Sequence, residues 1–446
     1  MHYGRWLLSG LGLGVCGLCG PGVAAVQGAE PAVIIHAGTL LSVPGRPPQN
    51  RQTVIIRDGR VAEIRAGFLS AQDVGAGASV RIIDLSKQFV MPGMIDLHVH
   101  LTTEAEQGES LRVVTRNAAD LALVARKHAR ETLEAGFTTV LDLGTARLAH
   151  NEAIYALRGA IDRGVAVGPR VLVAGSPISA TGSSRTGHFA AEVEAVVGPD
   201  GTCNGPDDCQ RAVREQIARG ADVINFYNTG SIGDLHLVEQ AMTDAEMLSI
   251  VVTAHSLGRK VIADGHTAAG IKAAVRAGAD IIDTGPWADA ESFDLMRRRK
   301  VFFEPHLYAF VIAVGEERSG STTVEDEPTS PILQRLRSVL AKPFSAQLAN
   351  DKGVRLAYGS DTGIVPHGDN AGDFAQLVKI GLSPAQAIEV ATINSAAAIG
   401  LSDEAGSLEA GKGADVIAME RSPLEDIREL RKVTFVMRDG NVFKTH

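Results

Sequence analysis

The chain has 446 residues and a formal net charge of −9 at pH 7, from 43 Lys and Arg against 52 Asp and Glu. Hydrophobic residues make up 45% and charged residues 21%, which supports a packed core and excludes a wholly disordered chain. The acidic balance argues against nucleic acid as a partner, and 4 Cys beside 13 His exclude a cysteine-rich zinc module.

The first thirty residues have the pattern of a secretory signal peptide. A short start containing Arg5 precedes an apolar run over 6–19, and small residues follow over 21–29. The run is too short and too rich in glycine for a stable membrane span. We expect residues 1–30 to be removed and the mature chain to be secreted or periplasmic. A loose N-terminal extension is the alternative.

Short β-forming runs lie at both ends of the mature chain. The N-terminal runs are 32–35, 53–57, 61–64 and 81–84, and the C-terminal runs are 414–419 and 433–438. An Asp-Gly pair predicts a hairpin turn in each group, at Asp58 and at Asp439. The two groups together predict one small sheet domain built from both termini.

Between these ends, strand and helix patterns alternate. The predicted strands are 93–100, 139–143, 171–174, 223–227, 261–266, 281–284, 301–306 and 356–361. Helical stretches follow most of them, at 111–135, 211–219, 244–257, 268–277 and 371–379. Eight strands with alternating helices predict a (β/α)₈ TIM barrel of the α/β class. The alternative is a doubly wound open sheet, but no Gly-x-Gly-x-x-Gly turn follows a strand.

Two cysteines lie in the predicted signal peptide, and the mature chain keeps Cys203 and Cys209. Five residues of a Gly/Pro/Asp loop separate them. In an oxidising compartment this spacing predicts a disulfide that clips the loop to the next helix. Two free thiols in a cytosolic loop are the alternative.

Chemistry in a TIM barrel takes place at the C-terminal ends of the strands. Polar residues occupy these ends in seven of the eight predicted strands. They are Asp96, His98 and His100; Asp142; Asn225 and Tyr227; Asp264 and His266; Asp283 and Thr284; Glu304 and His306; and Ser360 and Asp361.

His98 and His100 are two residues apart on a strand, so both rings point to the same side. They form a pair of nitrogen donors suited to Zn²⁺ or a similar ion, and two satisfied core histidines are the alternative. Asp361 lies beside the first strand when the barrel closes and can act as a third ligand or as a base. Asp264 shares one side of its strand with His266 and is a candidate fourth ligand.

Residues 90–100, Val-Met-Pro-Gly-Met-Ile-Asp-Leu-His-Val-His, resemble the first-strand motif of the amidohydrolase superfamily. Segments 220–224, 268–271, 277–280, 358–363 and 366–368 resemble its imidazolonepropionase-like branch, which includes Xaa-Pro dipeptidases and ochratoxinase-type amidases. Residues 406–415 resemble the return of the chain into the family's composite β-sandwich. The resemblance implies a barrel over 91–405 and a β-sandwich domain formed by 31–90 and 406–446.

Binuclear members of that branch hold two metal ions with an HxH pair, a carboxylated lysine, two further histidines and an aspartate. Three of these positions match here: His98, His100 and Asp361. The lysine position holds Asn225, and the two histidine positions hold Asp264 and Thr284. No lysine lies at the C-terminal end of a predicted strand. These departures predict one divalent ion, Zn or alternatively Mn or Co, with Asp264 as the candidate fourth ligand.

Other residues resemble the family's substrate contacts. Thr186-Gly187-His188 resembles a Gly-Gly-His motif, so His188 is expected to contact a substrate carbonyl or carboxylate. His266, Tyr227 and His306 face the same mouth, and a supporting structural role is the alternative for the last two. Surface positions are expected for His128, His150, His236 and His255.

The function implied by these residues is hydrolysis of an amide or peptide-like C–N bond by an exported metal enzyme. Asp361 would accept a proton from the attacking water and pass it to the leaving nitrogen. The expected substrates are small molecules: an amide, a dipeptide or a cyclic amide. A metal-poor pseudoenzyme that uses the barrel mouth as a binding pocket is the alternative. Residues 315–331 could form a lid, and the sequence leaves open whether the chain forms a homo-oligomer.

Overall fold

The computed structural model describes residues 33–74, 80–105, 115–145, 148–181, 183, 200–230, 239–315 and 345–445. The predicted signal peptide, His188, His236 and all of the predicted lid beyond Gly315 lie outside these ranges. No helix within the described ranges is long and apolar enough to cross a membrane.

Strands occur in two groups, one near the chain ends and one in the middle. The first group is β1 (Val33–Leu40), β2 (Gln49–Arg57), β3 (Arg60–Ala66), β4 (Arg81–Pro92), β13 (Val416–Met419), β14 (Phe435–Arg438) and β15 (Asn441–Lys444). The second group is β5 (Met94–Val99), β6 (Phe137–Asp142), β7 (Arg170–Val173), β8 (Ile178–Ser179), β9 (Val223–Tyr227), β10 (Lys260–Thr267), β11 (Ile281–Trp287) and β12 (Phe302–Glu304).

Helices alternate with the strands of the second group and continue after them. They are α1 (Ala118–Glu134), α2 (Leu148–Asp162), α3 (Pro206–Arg219), α4 (Asp244–Ser256), α5 (Ala268–Ala277), α6 (Ala290–Arg299), α7 (Leu307–Val314), α8 (Ser345–Asp351), α9 (Gly372–Lys379), α10 (Pro384–Glu389) and α11 (Ser395–Ala398). Asn117, Thr243 and Ser383 begin α1, α4 and α10 with capping boxes, which satisfy backbone N–H groups at the helix starts.

The first group of strands forms one seven-stranded sheet in the order β15-β14-β13-β4-β1-β2-β3. The predicted hairpins are confirmed: β2 pairs with β3 and β14 with β15, and Asp58 and Asp439 have φ of 50° and 46°. The sheet curls on itself so that its two hairpin turns meet: a Cβ atom at Gly59 would lie 2.8 Å from Asp439 O. The domain boundaries at residues 90 and 406 stay predictions.

The second group forms a five-stranded sheet, β12-β11-β10-β9-β8, and a three-stranded sheet, β5-β6-β7, with parallel pairing. Seven of the eight predicted central strands are present within a few residues of their expected bounds. The eighth, 356–361, makes only isolated bridges, Val99 with Thr362 and Phe303 with Leu356. Its end departs from strand geometry, since Asp361 has φ of 55°, outside the extended region.

Residues 355–362 nevertheless lie between the two sheets. Ala357 N donates to Phe303 O at 2.9 Å on one side, and Leu97 N donates to Tyr358 O at 2.8 Å on the other. Asp361 N donates to His98 O at 3.0 Å, which brings the end of this segment beside the end of β5.

An apolar layer lies inside the parallel strands, below the polar residues at their ends. Ile262 pairs in register with Ile281, and Ile281 with Phe302. Their side chains therefore lie side by side on the same face of the sheet. All three belong to a buried cluster that also contains Leu97. This layer forms the floor on which the polar strand ends stand.

The predicted disulfide between Cys203 and Cys209 is confirmed. Both cysteines are fully buried, and the bridge joins the loop after β8 to the first turn of α3.

Replacing both cysteines with serine is expected to lower the free energy of unfolding by roughly 2 kcal/mol, the loop-entropy value for so short a closed loop. Urea unfolding of oxidised wild type and of the double variant measures the difference, and wild type reduced with dithiothreitol provides an independent check. Equal midpoints for the three samples would show that the bridge does not stabilise the fold.

Candidate metal centre

Three carboxylates stand side by side on β10, β11 and β12. The strand register pairs Asp264 with Asp283 and Asp283 with Glu304. Residues in register on parallel neighbours point to the same face. The three residues are only 6%, 0% and 0% exposed. Buried carboxylates at this spacing repel one another unless protons or cations lie among them.

The end of β5 and residues 355–362 form what we call the outer group: His98, His100 and Asp361. His98 Nε2 lies 3.0 Å from His100 Nε2. Asp361 Oδ1 lies 3.4 Å from His98 Nε2 and 3.6 Å from His100 Nε2. The three residues predicted from the sequence as a ligand set are therefore in contact, and their donor atoms lie close enough to hold one ion.

A second set, which we call the inner group, consists of Asp283, Glu304, His306 and His98. His98 Nδ1 lies 3.0 Å from Asp283 Oδ2, and His306 Nε2 lies 2.5 Å from Asp283 Oδ1. Glu304 Oε1 is 3.4 Å from the same His306 nitrogen. All four residues are buried, and their donor atoms lie within 4.8 Å of one another. His98 thus faces the outer group with Nε2 and the inner group with Nδ1.

Histidine rings are the only positively charged partners of the inner carboxylates among the described residues. Burial lowers the pKa of His98, but the Asp283 and Asp361 carboxylates outweigh it and raise that pKa to about 9. Burial raises the pKa of Glu304 to about 7. Burial acts in the same direction on Asp283, but the charges of His306 and His98 prevail and hold its pKa well below the usual range.

The stability of the ion-free chain should therefore fall as the pH rises from 6.5 through 9. The pKa of His98 is raised on folding to about 9, so its protonation stabilises the folded state at low pH and this contribution is lost as the ring deprotonates. The loss is on the order of 2–3 kcal/mol. Urea unfolding of chelator-treated protein across this range measures it. The dependence should weaken in His98→Gln, and a flat profile in wild type would contradict the assignment.

Asp96 holds the two ends of the outer group together. Its carboxylate accepts hydrogen bonds from Ser360 N at 3.0 Å, Ser360 Oγ at 2.5 Å and Asn370 Nδ2 at 2.8 Å. It also accepts one from His98 N at 3.2 Å. Residue Asp96 is fully buried, and burial raises its pKa. These bonds fix β5 against the segment that carries Asp361.

Three residues of the site have a left-handed backbone: Thr284, His306 and Asp361, with φ of 73°, 46° and 55°. This conformation is costly for residues other than glycine, above all for β-branched threonine. Thr284 occupies the position at which the resemblance to the amidohydrolase superfamily implies a histidine ligand. Left-handed residues within β11, just after β12 and at the end of the 355–362 segment give a concentration of backbone strain that is typical of a site under functional constraint.

Gly359 provides the space that the Glu304 carboxylate fills. A Cβ atom at residue 359 would lie 1.6 Å from Glu304 Oε1. Residue 359 is therefore a glycine because the Glu304 carboxylate lies so close to it, and not because of its own backbone angles.

Gly359→Ala is expected to lower the free energy of unfolding by about 1–3 kcal/mol, because the methyl group overpacks a buried site. Gly159→Ala in α2 is the matched control. Its Cβ would meet only the flexible guanidinium of Arg163 at 3.1 Å, so the helix should tolerate or gain from the change. Differential scanning calorimetry measures both variants, and equal midpoints for them would contradict the packing at residue 359.

The remaining predicted site residues lie in different surroundings. Asp264 Oδ1 is 3.3 Å from His266 Nε2, and His266 Nδ1 donates to Gly230 O at 2.8 Å. Asp264 belongs to neither group, so its role as a fourth ligand stays a prediction. Tyr227 pairs in register with Asp264 and is buried. Asn225 is buried, and neither its Nδ2 nor its Oδ1 has a hydrogen-bond partner in the described part of the chain.

Sequence reasoning missed the inner group. Asp283 and Glu304 appeared among the strand-end residues but were not selected as ligands, and His306 was assigned to substrate. The strand register could have revealed it. Three neighbouring parallel strands each carry a carboxylate, and pairing in register places these side chains next to one another.

The expectation that His128 and His150 lie at the surface is wrong, because both are buried. His128 stacks on His367 with ring centroids 4.1 Å apart and donates through Nδ1 to Leu101 O at 2.8 Å. His150 Nδ1 lies 2.8 Å from Thr102 Oγ1. These histidines secure the loop after β5. His255 is exposed as expected and pairs with Asp280.

Comparison with known protein families matches residues 89–444 to the amidohydrolase family. This chain belongs to the amidohydrolase family. The resemblance inferred from the first-strand motif is therefore confirmed over most of the chain. An α/β fold with the site at the strand ends agrees with this membership.

Individual relatives of this amidohydrolase are hydrolases. The chain is 30% identical to the ochratoxinase of Aspergillus niger, over 95% of this chain and 89% of that protein. It is 24% identical to the imidazolonepropionase of Symbiobacterium thermophilum, over 87% of this chain and 90% of that protein. The crystal structure of a Xaa-Pro dipeptidase with bound methionine superposes with a TM-score of 0.82 at 31% identity, covering 93% of this chain and 100% of that one.

Proposed function

We propose that this amidohydrolase is a metal-dependent enzyme that hydrolyses an amide or peptide-like C–N bond of a small substrate. The observation that carries the proposal is the outer group. Donor atoms of His98, His100 and Asp361 lie within 3.6 Å of one another at the C-terminal ends of the strands. Family membership supports the hydrolase class, and the names of the relatives suggest amides, dipeptides and cyclic amides as the substrates to examine.

The donor set is suited to a divalent ion. Two imidazoles and a carboxylate are ligands that Zn²⁺, Mn²⁺ and Co²⁺ accept, and Zn²⁺ is the first choice for two nitrogen donors. Asp361 has only histidines as ion-pair partners among the described residues, so a cation at this mouth would offset its charge. Such an ion would polarise the substrate carbonyl and acidify a water molecule.

Asp361 is the residue that moves the proton. Its Oδ1 faces the two histidines of the outer group, while its Oδ2 lies 4.0 Å from His306 Nδ1. Oδ2 is thus directed away from the proposed ligand atoms. In the proposed reaction it accepts a proton from the attacking water and delivers it to the leaving nitrogen.

Substrate contacts are proposed for residues that border this mouth. His266 is held by Gly230 O and by Thr229 Oγ1, at 2.8 and 3.1 Å from its Nδ1, so its Nε2 edge has a fixed direction. Tyr227 and His188 are proposed as further contacts, as the sequence implies. His306 is now better placed for the inner group than for substrate, because it is 2% exposed.

The proposal includes the architecture and the location of the enzyme. We propose that the two parallel sheets and residues 355–362 close an eight-stranded barrel, in which β7 and the two-residue β8 count as one strand because both lie along β9: Asp222 N donates to Val173 O at 2.7 Å, and Ile178 pairs with Phe226. Hydrogen bonds from Ala357 to Phe303 and from Leu97 to Tyr358 support the closure on the other side. Export through a signal peptide over 1–30 is supported by the Cys203–Cys209 disulfide, since such bonds persist in oxidising compartments. N-terminal sequencing of protein recovered outside the cytoplasm would test the cleavage.

The test is turnover of a panel of N-acyl amino acids, Xaa-Pro and other dipeptides and cyclic amides with added Zn²⁺, Mn²⁺ or Co²⁺. The double variant His98→Ala/His100→Ala should lose all detectable turnover of any responsive substrate. His255→Ala, which removes an exposed histidine of α4, is the control and should keep full activity. Unchanged turnover in the double variant would overturn the assigned site.

A second candidate is a metal-poor protein that binds a small molecule at the mouth without cleaving it. Asn225 and Thr284 favour it, because neither residue can replace the bridging lysine or the histidine expected at its position. Tight binding of a panel compound with no turnover under any metal would support this candidate.

A further inference from the structure

The inner group presents donors at positions that the family pattern does not use. Asn225 and Thr284 occupy the positions of the missing lysine and histidine, whereas Asp283, Glu304 and His306 supply two carboxylates and an imidazole close by. The loss of ligands at two positions is thus accompanied by donors on β11 and at the end of β12.

The inner group is compact enough for one ion to reach all of its donor atoms. His306 Nε2 lies 2.5 Å from Asp283 Oδ1 and 3.4 Å from Glu304 Oε1, and His98 Nδ1 closes the set at 3.0 Å from Asp283 Oδ2. The donor atoms of the four residues lie within 4.8 Å of one another, and all four residues are buried. One ion placed among them could therefore contact every member of the group.

Burial and charge identify the ligand chemistry. Asp283 and Glu304 are fully buried, and no lysine or arginine is paired with them in the ranges that the structure describes. Two carboxylates in such a place need compensating positive charge, which only the His98 and His306 rings supply among the described residues. A divalent cation matches their combined charge, and a mixed set of two carboxylates and two imidazoles suits Zn²⁺, Mn²⁺ or Fe²⁺.

We infer that Asp283, Glu304, His306 and His98 Nδ1 form a second divalent-cation site, below the outer group. Glu304 supplies an anionic oxygen to this site, and Gly359 makes room for its carboxylate. The inner site rests on the proposed function in one respect, because the two sites share His98. With both ions bound, His98 would serve as a ligand through both ring nitrogens, and its ring proton would be released to solvent.

The experiment measures metal per chain without reference to activity. Full-length protein is stripped with a chelator, reloaded with Zn²⁺ or Co²⁺, desalted and examined by elemental analysis and native mass spectrometry. Wild type is expected to hold two ions. Glu304→Gln keeps the shape of the side chain and should hold one, and His100→Ala should retain the inner ion alone.

Glu246→Gln is the matched control. Glu246 is a buried glutamate that caps α4 and accepts a hydrogen bond from Gly205 N, remote from both groups, so its variant should still hold two ions. Circular dichroism confirms folding of each variant. If Glu304→Gln does not fold, the isosteric Asp283→Asn replaces it in the same comparison.

The outcomes separate the inner site from the proposed function. One ion in wild type that survives Glu304→Gln but is lost in His100→Ala would overturn the inner site and leave the proposed function standing. One ion that is lost in Glu304→Gln but survives His100→Ala would support the inner site and overturn the outer one. No bound ion in wild type would overturn both.

Discussion

Asp361→Asn is expected to lower kcat by about 10²–10⁴-fold, the usual contribution of a positioned general base. Asparagine keeps the size of the side chain but cannot accept the proton of the attacking water. The position of Asp361 is set by Asp361 N donating to His98 O at 3.0 Å, which the substitution leaves intact. KM should change much less than kcat, since the role of this residue lies in the proton transfer.

Steady-state kinetics on the best substrate of the panel, with metal content measured on the same samples, provides the test. Asp403→Asn, at an exposed turn position, is the control and should retain wild-type kcat. If the variant keeps its metal and more than about a tenth of wild-type kcat, Asp361 is not the proton acceptor.

Asp96→Ala is expected to have the largest effect on stability, a loss of about 3–5 kcal/mol in the free energy of unfolding. The substitution leaves buried donors from Ser360, Asn370 and the His98 backbone without an acceptor. Each unsatisfied buried donor costs about 1–3 kcal/mol, and relaxation of the site recovers part of the sum.

Urea unfolding of the ion-free protein measures this loss as a shift in midpoint at constant slope. Asp403→Ala is the matched control, because the same truncation at an exposed residue should leave the midpoint unchanged. A loss below about 1 kcal/mol for Asp96→Ala would show that the network around Asp96 does not hold β5 to the eighth segment.

Hydrophobic and turn patterns in the sequence predict most of the fold. Strands such as β9 (Val223–Tyr227) and helices such as α5 (Ala268–Ala277) begin and end where the patterns place them. The eighth strand is the exception: it makes only isolated bridges and ends in Asp361 with a left-handed backbone, which no hydrophobic pattern records. Tertiary hydrogen bonds to Leu97 and Phe303 determine its course instead.

The candidate site could be predicted only in part, because some of its residues are close together in the sequence and others are far apart. His98 and His100 are adjacent on one strand, so their convergence follows from local geometry alone. The inner group draws on β5, β11 and the end of β12, and its assembly depends on the register between strands. Burial of His128 was likewise unpredictable, because its partner His367 lies far away in the sequence.

The measurement that tests the central claim most directly is divalent metal bound per chain after chelation and reloading, on the full-length wild-type protein. We predict at least one tightly held Zn²⁺, Mn²⁺ or Co²⁺ per chain, lost together with amide turnover in His98→Ala/His100→Ala. Only trace metal in wild-type protein after reloading would contradict a metal-dependent hydrolase.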